Sequence, residues 1–245
     1  MGGDFGPLPQ GSRMDLDIDS WETPASAYPE ERVGDYRIVK QVRAPGRYLY
    51  HHDGYGVYRA TQPLSITHLQ ELRDGHWQTW MVDSPRDYRS MQKYAERASG
   101  RVLTSGLGLG LLVHELWKNP AVETVTVVEN NPAVMALTGK HLPRHPRMEL
   151  EWGDFWQFIV CDDREWDWVI VDIWVYTGFE RYNELLSDEV LPMEAHLQAR
   201  YPAAKLAFHG FREDSFFRGD VDSTMKQIRL DSERRKTEKE AARAL

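Results

Sequence analysis

Three glycines and three acids in the middle of the chain have the types and spacing to hold a ligand and move a proton. Gly106, Gly108 and Gly110 sit in the run Thr-Ser-Gly-Leu-Gly-Leu-Gly. Glycines let the backbone turn sharply and approach a ligand with no Cβ in the way. Glu129 closes the apolar run Thr124-Val-Thr-Val-Val and is suited to accept hydrogen bonds from two neighbouring hydroxyls; Asn130 follows it and can flank a ring. Asp154 and Phe155, in Gly-Asp-Phe, pair an acceptor for an amino group with an aromatic ring to lie against. Asp172 ends Asp167-Trp-Val-Ile-Val. A carboxylate there can take the proton of an attacking amine and hold the resulting cation, or it can simply cap the next segment. Trp174 and Tyr176, just beyond, either form an aromatic wall for an apolar or cationic acceptor or belong to the core.

The elements that must carry these residues are legible. Val102 to Thr104 reads as a strand, the glycines as a tight turn, and Leu111, Leu112, Glu115 and Leu116 as a helix, which together make the front of a nucleotide-binding βαβ unit. Met148-Glu-Leu-Glu-Trp reads as a third strand and 167–172 as a buried fourth. Ligands of open α/β sheets bind at the carboxyl ends of the strands, where these acids stand. A dinucleotide fingerprint requires a third glycine or alanine where Leu111 stands. S-adenosylmethionine has no phosphate and needs only close backbone approach, which the spacing offers. Methyl transfer from its sulfonium needs alignment of the acceptor rather than an enzymic nucleophile.

The motifs Gly106-Leu-Gly-Leu-Gly110, Val128-Glu-Asn-Asn-Pro132, Gly153-Asp-Phe155 and Val169-Ile-Val-Asp172 resemble the class I S-adenosylmethionine-dependent methyltransferase superfamily, and above all its polyamine aminopropyltransferase (spermidine synthase) branch. Leu72-Arg-Asp-Gly-His-Trp-Gln78 resembles that branch's Leu-Asp-Gly-x-x-Gln hairpin, and Asp83 with Tyr88-Arg-Ser-Met91 its entry helix. The resemblance spans roughly residues 48 to 210. It implies S-adenosylmethionine as cofactor, Gln78 among the cofactor contacts, Asp172 facing the attacking amine, and a homodimer formed through the N-terminal sheet. The sequence also departs from the branch. Leu109 stands where its glycine loop carries an Asp, Val175 where a second carboxylate follows the fourth strand, and Ser90 where the entry helix carries a Glu. Each lost acid removes a charged hydrogen bond of about 1–3 kcal/mol from a cationic substrate.

The expected architecture is α/β: a Rossmann-like core with a shortened parallel sheet of order 3-2-1-4-5, preceded by a small antiparallel β domain. The boundaries are 1–33, a flexible leader anchored at most by Trp21 and Tyr28; 34–82, hairpins turning at Pro45-Gly46, Asp53-Gly54 and Asp74-Gly75; 83–212, the cofactor domain; and 213–245, a charged helical tail. The entry helix starts at the N-cap Ser84, runs to about Ser99 and stops at Gly100, with Tyr88 either over the acceptor pocket or in the core. A long helical region from Phe179 to Gln198 is interrupted at Pro192.

Composition narrows the function classes. The 245 residues carry a net charge of −8 without a basic face, which disfavours a nucleic-acid partner and leaves a small-molecule acceptor. The single cysteine, Cys161, excludes an internal disulfide and suits a reducing cytoplasm. No apolar run has the length of a membrane helix, and no signal peptide is visible. His141 and His145 flank Pro143, and adjacent His51 and His52 would point to opposite faces of a strand, so no metal site is expected. The alternatives are an aminopropyltransferase using decarboxylated S-adenosylmethionine and a non-catalytic cofactor-binding subunit.

Overall fold

The computed structural model describes residues 14–46, 48–50, 56–174 and 184–211. Five parallel strands form the central sheet: β8 (Gly100–Ser105), β9 (Val122–Glu129), β10 (Met148–Trp152), β11 (Trp168–Val171) and β12 (Lys205–Phe208). Their order is β10-β9-β8-β11-β12, which is the expected 3-2-1-4-5. Strand β11 is buried along its whole length because helices cover both faces of the sheet; such strands read as continuous apolar runs.

Helices α1 (Pro85–Arg97), α2 (Leu111–Lys118) and α3 (Pro132–Thr138) contribute to one face, where Met91, Tyr94, Leu116, Val127 and Leu137 pack into a single core. On the other, α4 (Phe155–Cys161) and α5 (Leu191–Arg200) pack Ile159 and Leu197 over Leu103, Val128 and Val169. Ser84 accepts the Asp87 N–H and Pro85 opens α1, but the helix stops at Arg97 and Gly100 is already the first residue of β8. A Cβ on Gly100 would overlap the Asp167 side chain, so its glycine answers a strand contact rather than a helix end. The interruption at Pro192 appears as a π turn, Leu186–Val190, leading into α5; proline has no N–H to continue the ladder behind it.

Ahead of this core lie two further sheets. One is antiparallel, β2 (Glu31–Val33), β3 (Tyr36–Arg43), β6 (Leu64–Arg73) and β7 (His76–Val82), in that order. The Asp74-Gly75 turn joins its last two strands with φ of 51° and 75°. The register between β6 and β7 slips at Leu69/Gln70: Thr79 pairs with Gln70 and Met81 with Leu69, leaving Trp80 as the extra residue of a bulge. Residues paired across a sheet share a face, so Gln78 (opposite Glu71) and Met81 (opposite Leu69) fall on the same face although three positions apart. In the second sheet β4 (Tyr48–Tyr50) pairs antiparallel with β5 (Gly56–Ala60), as expected, but β1 (Met14–Ile18), running parallel to β5 on its other side, was not expected.

Residues 14–33, assigned to a flexible leader, are thus part of the body. Asp83, fully buried, holds the segment in place. Its Oδ2 accepts Thr23 Oγ1 at 2.6 Å and its Oδ1 the Thr67 N–H at 2.6 Å, while its carbonyl accepts Trp21 Nε1 at 2.7 Å. Burial pushes the Asp83 carboxyl up, and the bonds from Thr23 and Thr67 act against that rise. Ala25 and Tyr28 of the same segment are also buried. The leader's polar composition hid this because its anchors are single side chains that meet acceptors about sixty residues away.

His68, 3% exposed on β6, has its pKa lowered to about 4 by burial and by the Arg43 charge. The fold therefore favours the neutral ring. Its contribution is complete above the unfolded pKa near 6.5 and is lost as pH falls from there through about 4. Urea unfolding at pH 7 and pH 5 should show wild type losing about 2 kcal/mol more than a His68→Gln variant over that interval.

Candidate functional site

The carboxyl ends of the parallel strands are level. Ser105 pairs with Val128 on one side and Val171 on the other, Glu129 pairs with Trp152, and Val171 with Phe208. Gly106, Glu129, Gly153-Asp154 and Asp172 therefore stand along one edge.

The glycine turn occupies the centre of that edge and is held by several separate bonds. Gly106, Gly108 and Gly110 all have positive φ, at 81°, 50° and 70°. A Cβ on Gly106 would overlap the carbonyl oxygen of Asp172, and one on Gly108 would overlap Met81 Sδ. One on Gly110 would lie 2.9 Å from Leu142. Gly106 N–H donates to Val128 O at 2.9 Å and Gly110 N–H to Leu107 O at 2.7 Å. Thr138 Oγ1 donates to Gly108 O at 2.8 Å. Leu109 N–H meets Met81 Sδ at 3.2 Å, and its carbonyl accepts Tyr28 Oη at 3.2 Å.

Glu129, 7% exposed, has its carboxylate turned onto this turn. Oε2 accepts the Leu107 N–H at 2.8 Å and Oε1 the Asn131 N–H at 2.7 Å. Each carboxylate oxygen has a second lone pair for a ligand hydroxyl. Asn130 is exposed beside it. Asn131 caps α3, its Oδ1 accepting the Ala133 N–H at 2.9 Å, with Pro132 in the first turn. The Tyr36 hydroxyl donates to Glu71 and interacts with the Asn131 side chain; burial first, and then Glu71, pushes the phenol up to about 12. Glu71 is the strand partner of Gln78, so this chain of contacts ties the β7 face carrying Gln78 and Met81 to the tip of β9.

Asp154 is the N-cap of α4, its Oδ1 accepting the Gln157 N–H at 3.0 Å. Asp172 is half-buried, and its N–H donates to Ser105 O at 3.1 Å, extending the sheet by one residue. Trp174 packs edge-on to Phe211, with ring centroids 5.3 Å apart, and donates Nε1–H to Glu189 Oε2 at 2.9 Å. Tyr176 lies outside the described residues.

Two expected ligand contacts are committed elsewhere. Tyr88 is 7% exposed, donates to Glu115 on α2 and meets Trp21 edge-on at 5.9 Å. It joins α1 to α2 as a core residue and does not stand over an acceptor. Phe155, 4% exposed, packs in the same core as Val128 and Ile159, because the first residue of α4 faces the sheet. Its ring is not presented to a ligand beside Asp154.

Met81, which sequence reasoning missed, and Tyr28, read there only as an anchor of the leader, hold the N–H and the carbonyl of Leu109. Tyr28 stacks on His141 with centroids 4.3 Å apart, and its hydroxyl also lies 3.1 Å from His114 Nε2. Burial pushes the Tyr28 phenol up and the His114 imidazole down. A Ser/Thr/Asn-Pro cap is a legible signal for Asn131, but nothing local marks Tyr28 or Met81. Among the described residues no group of three or more His, Cys, Asp or Glu could hold a metal, and no helix is long and apolar enough to cross a membrane.

No protein-family model matches the chain, and no curated protein matches it. The chain is similar to several solved structures. Human methyltransferase-like protein 13 in complex with SAH is 17% identical over 35% of this chain and 44% of its own, with a TM-score of 0.29. Spermidine synthase from Thermotoga maritima is 16% identical over 54% of each chain, with a TM-score of 0.34. A dimethyladenosine transferase from Plasmodium falciparum is 19% identical over 51% of this chain and 42% of its own, with a TM-score of 0.36. The aligned part thus spans between 42% and 54% of these solved chains.

Gly106→Ala places a Cβ against a backbone carbonyl at a positive φ. It should lower unfolding free energy by about 2–4 kcal/mol, read by urea denaturation. Gly34→Ala, also at positive φ but with nothing within 4 Å of its Cβ, should lose only about 1–2 kcal/mol.

Proposed function

We propose that the protein is an S-adenosylmethionine-dependent methyltransferase with a spermidine-synthase-like body, acting on a small acceptor, with an amine the favoured class. The observation that carries this reading is the Glu129 carboxylate turned onto the glycine turn, with Asp154 past the end of the neighbouring strand β10 and Asp172 past the end of β11, on the other side of β8. In this reading Glu129 accepts the ribose hydroxyls, Asp154 meets the base, and the glycine turn lies against the methionyl part. Gln78 and Asn130 complete the surround.

Asp172 is the proton acceptor. When bound, S-adenosylmethionine would supply an activated methyl group; Asp172 would hold the ammonium formed when a neutral amine accepts that methyl group, and would then take its proton. The protein's part is to align acceptor and methyl group at about 3–3.5 Å and to stabilise the ammonium that results. Trp174, fixed by Glu189, supplies an aromatic surface near that position.

Leu111 speaks against a dinucleotide: it is fully buried where such a turn needs its third small residue. Leu109 speaks against aminopropyl transfer from a decarboxylated cofactor. Its side chain is fully buried, so the position that resembles the branch's acidic one presents no charge to an amine.

A thermal-shift panel tests the cofactor. S-adenosylmethionine and S-adenosylhomocysteine at 100 times their dissociation constants should stabilise wild type by about 2.7 kcal/mol, with the shift lost in Glu129→Ala. Stabilisation by the decarboxylated cofactor alone, or by NAD alone, would overturn the reading. Turnover is read separately, as S-adenosylhomocysteine released in the presence of a panel of small primary amines. Asp172→Asn should reduce that release about 100-fold while leaving the thermal shift in place. Cofactor binding with no release from any acceptor would move the protein to the non-catalytic reading.

A further inference from the structure

We infer that Trp152 is the stacking platform for the base of the cofactor, and that Gly153 is glycine to let the base approach. This deepens the cofactor reading above and depends on it. Trp152 is the last residue of β10 and is 71% exposed, whereas Phe155, the aromatic next along the chain, is buried in the core. Trp152 is the register partner of Glu129. Paired residues on neighbouring strands project from the same face about 4.8 Å apart, so the indole stands beside the carboxylate assigned to the ribose. It stands on the side away from the glycine turn, because β9 lies between β8 and β10. A ligand running from the glycine turn past Glu129 must set its next group on this tip.

Gly153 gives an independent indication. The glycines at 106, 108 and 110 are each explained by the protein: all have positive φ, and a Cβ on any of them would meet a neighbour. Gly153 is not among the positive-φ residues, and a Cβ there would meet nothing within 4 Å. The fold itself therefore does not require glycine at this position, and the space above it is open. That space lies between Trp152 and Asp154, whose Oδ1 takes the helix-capping bond and whose Oδ2 is left outside it. A flat aromatic ring carrying an exocyclic amino group fits the three together: a face for the indole, a clearance over Gly153 and a donor for Asp154. Adenine has that chemistry.

The experiment is calorimetric titration of S-adenosylhomocysteine into wild type, Trp152→Ala, Trp152→Phe and Gly153→Ala, with the melting temperature of each ligand-free protein. Trp152→Ala should weaken binding about 10- to 100-fold, the range for losing one base–aromatic stack. Trp152→Phe should stay within about threefold of wild type, and Gly153→Ala should weaken binding about tenfold through its added methyl group. Ligand-free melting temperatures should stay unchanged, since the indole is exposed and the Gly153 Cβ position is open. Binding by wild type with equal binding by Trp152→Ala and Gly153→Ala would overturn the platform and leave the cofactor reading intact. No binding by wild type would overturn both.

Discussion

At Gly106 and Gly108 the turn between β8 and α2 has no room for a side chain. On one side is the backbone carbonyl of Asp172, at the tip of β11; on the other is the thioether of Met81, from β7. A third neighbour, Tyr28, holds the Leu109 carbonyl. The shape of the turn is therefore not a property of its five residues alone. It is imposed by a parallel strand, an antiparallel sheet and an N-terminal segment that all converge there.

The central sheet was readable because its determinants are local. Apolar runs, glycine punctuation and acids at strand ends recur with the period of a βαβ unit, and the strand order follows from that topology. Glu129, Asp154 and Asp172 could be placed at strand tips for the same reason: each stands at or just past the end of a strand that can be recognised. Phe155 failed because a residue just past a strand tip can turn toward the cleft or begin a helix against the sheet. Only the packing of α4 over Val128 decides between these. Tyr88, left open between the acceptor pocket and the core, lies in the core. Its helix was correctly placed, but its partner Glu115 lies on another helix 27 residues away.

The N-terminal segment shows how little sequence signal a docked strand requires. Its hold on the body comes from a buried carboxylate, Asp83, that satisfies one hydroxyl and one backbone amide, and from an indole bonded to the carbonyl of the same residue. A buried acid is costly unless its oxygens are bonded. Thr23 is therefore as much a requirement of Asp83 as Asp83 is of Thr23. Composition scores such a stretch as polar and unstructured, because reciprocity between two distant residues leaves no mark on either neighbourhood.

The bulge at Trp80 bears on the evolution of the cleft. Without the extra residue, strict alternation along β7 would put Gln78 and Met81 on opposite faces of the sheet. With it, both fall on the face that carries Leu69 and Glu71. The extra residue thus decides that Met81 is the side chain of β7 that reaches the glycine turn. Related chains could exchange the lining of this wall by gaining or losing a single codon, a larger step in chemistry than any one substitution in the same strand allows.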